Sequence, residues 1–157
     1  MHQRAVSVRL AWDEMAAVCR PGSLTVEGFM AVRPRGSVQH LASRVIGRLG
    51  SDAGPWDAFA SIFPAITATG VSNRSALQAL ARREKGPRGL YGDAIFWAST
   101  DGALDAALVS RTLIGEGGET WLRAGAGATP ASILEREIGE TCEKLRTVAP
   151  HMRFAIQ

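Results

Sequence analysis

Apolar and polar positions along the chain alternate between helix-like and strand-like patterns. Residues 5–19 place Val8, Leu10, Trp12, Met15, Ala16 and Val18 at mixed spacing over a length that suits a helix, and Pro21-Gly22 ends it. Two runs that read as strands follow, about Leu24–Val32 and Ser37–Arg48, with Pro34-Arg35-Gly36 as their turn. Trp56–Phe63 predicts a short helix closed by Pro64, and Ser75–Glu84 predicts another with Ser75 as its cap. Leu90–Ser99 reads as a strand, Asp101-Gly102 as a hairpin turn, and Ala103–Ile114 as the alternating strand after it. Glu116-Gly117-Gly118 turns again into a strand over Glu119–Ala124. The last helix is expected over Ala131–Val148, opened by a capping box of Ser132 and Glu135. Tight turns make the sheet antiparallel and helices flank it, so the expected class is α+β, as one domain over residues 1–157.

Composition narrows the class little. At 46% hydrophobic and 21% charged residues, the chain is ordinary for a globular domain. No apolar run approaches the roughly 20 residues that a membrane span needs, and MHQRAVSVRL has no apolar signal core. A cytoplasmic protein with no membrane partner is expected. Cys19 and Cys142 stand far apart and form no CxxC, which excludes a disulfide scaffold and a cysteine-rich zinc site. The net charge of +3 rests on 16 Arg and 2 Lys against 15 acidic residues. The Arg residues scatter from Arg4 to Arg153, and the densest patches, Arg33–Arg35 and Arg82–Lys85, are short and free of aromatics. That pattern suits a solvated basic surface, and no nucleic-acid partner is expected.

Three constellations carry candidate chemistry. On the last helix, Leu134, Ile138, Thr141, Cys142, Leu145 and Val148 make an apolar stripe, while Glu137, Glu140 and Lys144 fall within one arc at its border. Two carboxylates one turn apart there can hold a hard cation such as Mg²⁺ with water and substrate oxygens. Spacing alone favours a plainer account, a helix flank with an i,i+4 Glu140–Lys144 pair. The second constellation is Arg123-Ala124-Gly125-Ala126-Gly127, whose alternating glycines allow close backbone approach and leave N–H groups for an anion. An ordinary loop is its alternative. The third is Arg111, which in alternation shares a face with Ala107, Val109 and Leu113 and so calls for an anionic partner or a route to water. His40, beside Leu41 in a strand, and Tyr91, the sole tyrosine, fit packing roles as readily as functional ones.

The stretches VRPRGSVQHLAS, FPAITATG, GPRGLYG, STDGALDAALVSR, TWLRAGAG and EREIGETCEKL run in order from about residue 30 to 145. Together they resemble the C-terminal portion of the chorismate-utilising enzymes, above all the salicylate synthases of siderophore biosynthesis. By position, the resemblance implies that Glu137 and Glu140 are magnesium carboxylates and that Lys144 lies near the ring carboxylate. It implies that Tyr91, Arg111 and the backbone of Gly125 and Gly127 hold the enolpyruvyl carboxylate. His40 and Thr67 correspond to pocket residues near the ring and the leaving group. Members of this family are more than twice as long, and their general base, a Lys, and general acid, a Glu, lie in a first half not present in these residues. A further metal-binding Glu of the family falls at Gln3, a poorer Mg²⁺ ligand. The expectation is a truncated domain that binds chorismate with little turnover of its own, as a homodimer or with a separately encoded first half. The alternatives are a subunit of a split Mg²⁺-dependent synthase and a stand-alone binder of another small aromatic or nucleoside ligand.

Overall fold

The computed structural model describes residues 2–35, 38–71, 73–129 and 132–152, and at residues 2–4, 35, 38 and 73 the backbone alone. Two compact units emerge: residues up to Ile66 with Phe96–Ala106, and Thr67–Ile95 with the residues from Ala107 onward.

The first unit opens with α1 (His2–Ala16). It stops three residues before the expected end, because Val18 and Cys19 both donate to the Met15 carbonyl and Cys19 then bridges Leu49. β1 (Thr25–Arg35) and β2 (Val38–Ile46) form an antiparallel hairpin. Pro34 and Arg35, expected in the turn, instead pair with Gln39 and Val38, while Gly36 lies outside the described residues. The register shifts between Glu27 and Ala31, where Met30 takes φ 52. Its displaced N–H donates to Ser43 Oγ at 2.9 Å, so the bulge leaves that donor satisfied. α2 (Pro55–Ile62) starts as expected, with Pro55 at the first turn and Asp57 accepting from the Gly54 N–H at 2.8 Å. Trp56, Phe59, Phe63 and Phe96 form an aromatic cluster, with Phe59 and Phe63 stacked at 5.2 Å and Trp56 edge-on to Phe96. Such pairs contribute about 0.5–1.5 kcal/mol each beyond their buried area. Cys19 is buried, and a Cβ on Gly47 would lie 2.7 Å from its Sγ, so a glycine is required where β2 leaves the hairpin.

Two short helices precede the remaining hairpins, of which residues Phe96–Ala106 belong to the first unit. α3 (Ile66–Thr69) was not foreseen, and α4 (Asn73–Arg83) begins two residues before Ser75, which therefore sits inside the helix and is not its cap. The expected strand over Leu90–Ser99 shortens to β3 (Ala94–Ala98), since residues 89–92 form a turn with positive φ at Gly89 and Gly92. The expected strand over Ala103–Ile114 is two strands, β4 (Leu104–Leu108) and β5 (Thr112–Glu116). β3 pairs with β4, and β5 with β6 (Glu119–Arg123), across a Gly117-Gly118 turn with φ 60 and 82. Both turn positions need left-handed backbone, which glycine adopts without a Cβ penalty. α5 (Leu134–Arg146) is capped by Ile133 with no side-chain bond. The capping box does not form: Ser132 Oγ accepts from the Thr129 N–H at 2.9 Å instead. The class is α+β, with three two-stranded sheets and their helices among the described residues. Among the described residues no helix is long and apolar enough to cross a membrane.

Candidate functional site

The second unit holds a cleft of about 320 Å³ lined by Thr67, Ala68, Glu84, Arg88, Tyr91, Arg123 and the segment Ala124–Ala126. Backbone bonds hold the turn that carries Tyr91. The Gly92 N–H donates to the Val109 carbonyl, and the Val109 N–H to the Asp93 carbonyl, both at 2.8 Å. These bonds stitch the turn that presents Tyr91 onto buried Val109. Tyr91 then reaches the segment after β6. A Cβ on Gly125 would lie 2.8 Å from the Tyr91 hydroxyl oxygen, so only glycine permits this approach. The close approach seen at Gly125 is to the chain's own phenol.

α5 reaches the same loop from its other end. Lys144 Nζ donates to the Gly125 carbonyl at 2.9 Å and pairs with Glu140 Oε1 at 2.7 Å. Two of its three N–H groups are thereby placed. On α5, Glu137, Thr141, Lys144 and Leu145 are half-buried, whereas Leu134, Ile138, Glu140 and Cys142 are exposed. Glu137 and Lys144 of the charged arc thus lie on the covered side of the helix, while Glu140 and the first half of the expected apolar stripe do not. Thr141 Oγ1 donates back to the Glu137 carbonyl at 2.9 Å. Glu137 and Glu140 supply two carboxylates one turn apart. That donor set fits Mg²⁺, which takes one or two protein carboxylates and completes its shell with water and substrate oxygens. Among the described residues no group of three His, Cys, Asp or Glu side chains converges as a metal cluster. The Gln3 side chain lies outside the described residues.

Arg111 does not continue an alternating strand. It occupies the break between β4 and β5 with φ 50, half-buried, two residues after Val109. A non-glycine residue there costs of order 1–3 kcal/mol and persists only where its surroundings impose it. Thr67 lies on α3 and lines the cleft. Gly127 is exposed, beyond the lining segment. His40 stands half-buried on β2 in the first unit, opposite Arg33 in the ladder.

Sequence reasoning missed Glu84 and Arg88 as cleft residues. Glu84 Oε1 and Oε2 each accept from Arg88 Nε at 2.8 Å. The i,i+4 spacing is visible, but α4 ends at Arg83 and both residues lie beyond it, so a helix-face rule does not apply. Hydrogen bonding from Arg88, reinforced by its charge and that of Arg123, holds the Glu84 carboxyl below its ordinary value.

A family model described as chorismate binding enzyme matches residues 4–150. The chain is 51% identical to a salicylate synthase from Mycolicibacterium paratuberculosis over 96% of its own length and 33% of that protein. It is 34% identical to an anthranilate synthase component 1 from Streptomyces coelicolor, covering 98% of this chain and 30% of that one. The crystal structure of anthranilate synthase component I from Streptococcus pneumoniae superposes with a TM-score of 0.83 at 31% identity, over 91% of this chain and 33% of that one. The chain therefore spans about a third of the length of these relatives. With the family model matching nearly all of its residues, the chain belongs to the chorismate binding enzymes.

Proposed function

We propose that the second unit is a chorismate-holding wall of a salicylate-synthase-like enzyme. The observation that carries this reading is the convergence of Tyr91, Lys144 and Glu140 on the Gly125 loop. Chorismate carries two carboxylates and needs cationic and N–H donors at two places. Lys144, already fixed by Glu140 and Gly125, presents its ammonium to the ring carboxylate. Tyr91, Arg111 and the backbone N–H groups of Gly125 and Gly127 hold the enolpyruvyl carboxylate. Arg111, kept in a left-handed conformation, offers a planar fork that suits a carboxylate. Thr67, on the cleft wall, contacts the ring or the leaving enolpyruvyl group.

Glu137 and Glu140 would hold Mg²⁺, which supplies charge neutralisation for the ring carboxylate and fixes the ring's orientation. Proton transfer, in a conversion of chorismate through isochorismate to salicylate and pyruvate, falls to a Lys and a Glu outside these residues. General acid and base groups contribute about 10²–10⁴-fold each, so the role of these residues alone is binding and orientation. A second copy of the chain or a separately encoded first half would cover the apolar residues left exposed, among them Ile95, Phe96 and Trp97.

Equilibrium dialysis of chorismate with and without Mg²⁺ tests this assignment. Retention by the chain, weakened about tenfold or more in Lys144→Met, is expected, with pyruvate release at background. No retention in any condition, or pyruvate release by these residues alone at an ordinary enzymatic rate of about 1 s⁻¹ or more, would contradict it.

A further inference from the structure

The guanidinium of Arg88 is held on three sides. Its Nε donates to both oxygens of Glu84 at 2.8 Å, and its Nη2 pairs with the same carboxylate. Its Nη1 donates to the Ala68 carbonyl at 2.7 Å. Its Cζ lies 5.8 Å from the centroid of the Tyr91 ring, within cation–π range. The Arg88 carbonyl in turn accepts from Arg123 Nη1 at 2.7 Å. One residue thus ties together the end of α4, α3, the Tyr91 turn and β6. Its donors are directed into the protein, so it is not a cation offered to a ligand.

We propose that Arg88 is a positioning residue of the cleft, holding the Tyr91 hydroxyl against Gly125 and the Ala68 carbonyl beside Thr67. Only a planar fork can grip a carboxylate, reach a carbonyl and lie against a ring at once. A lysine cannot take its place. The role deepens the proposed function, because it rests on the cleft being the ligand site.

Tyr91 is the sole tyrosine, so the chain labelled with ¹³C-tyrosine gives one set of ring resonances, read without ligand. Arg88→Lys and Glu84→Gln are each expected to shift or broaden them, and to weaken chorismate binding about tenfold. Arg82→Lys, on an exposed part of α4, leaves both readouts unchanged. Should Arg88→Lys fail to fold, Glu84→Gln, which keeps the guanidinium on Ala68, decides in its place. Tyr91 resonances that stay unmoved overturn the proposal even where the thermal midpoint falls, since the pair would then serve stability alone. Resonances that move while the unsubstituted chain binds no chorismate would sink the chorismate reading and leave the role of Arg88 standing.

Discussion

Gly125 has no room for a methyl group, since a Cβ there would meet the Tyr91 hydroxyl at 2.8 Å. Gly125→Ala therefore forces Tyr91 aside, and its expected effect is on binding: chorismate affinity falls by about tenfold or more in calorimetry. The thermal midpoint changes little, because the segment is an exposed loop. Glu84 makes a pH prediction. Its carboxyl is held below the usual 4.5, first by hydrogen bonds from Arg88 and then by charge, against the opposing effect of burial. A depressed folded value means that the pair's stabilisation is complete above the unfolded value and is lost as pH falls through the folded one. The stability gap between the natural chain and Glu84→Gln should close on acidification below about pH 4.5. The pair is about one-third exposed at Glu84, which limits the gap to about 1 kcal/mol or less. Thermal melts across pH 3–7 check both the sign and the window. Legibility at this scale was uneven. Gly125, Glu140 and Lys144 stood out by type and spacing, whereas Arg88 did not, because its partners Ala68 and Arg123 come from distant parts of the sequence.

At the scale of elements, tight turns were the most legible feature. Asp101-Gly102 and Gly117-Gly118 reverse the chain where dipeptide chemistry demanded it. α5 was legible from its period, but its start was not. Ser132 and Glu135 have capping-box spacing, yet the Ser132 hydroxyl oxygen accepts from the Thr129 N–H, and pattern cannot arbitrate between two local donors of similar strength. The break at Arg111 was hidden for a different reason. Alternation continues through Val109, Arg111 and Leu113, and nothing in side-chain type reports a positive φ. The break itself predicts an outcome. Asn tolerates left-handed backbone, so Arg111→Asn should fold with a midpoint within a few degrees of the natural chain, a change of about 1 kcal/mol or less, and lose chorismate affinity. A large loss of stability would instead mean that Arg111 serves packing. On α5, Ile138 is 54% exposed, so Ile138→Ser should cost less than about 0.5 kcal/mol by urea unfolding.

Over the whole molecule, buried apolar side chains are scarce among the described residues, with Cys19 and Val109 the two that qualify. Large apolar side chains such as Phe29, Trp97 and Leu134 are more than half exposed. Sequence composition could not show this, because 46% hydrophobic content is compatible with a full core or with surfaces meant to be covered. We propose that a second copy or a separately encoded first half covers this apolar area. Light scattering should give a mass above 16.7 kDa, by self-association or by capture of an added first half, and a strictly monomeric chain that captures neither would remove this part of the account. The central claim is that the Tyr91–Gly125–Lys144–Glu140 arrangement holds chorismate. It is tested most directly by calorimetric titration of chorismate into the chain with Mg²⁺ present, beside Glu140→Ala. The account predicts a saturable binding heat in the natural chain that disappears in the variant. No heat in either chain, or the same heat in both, would contradict it.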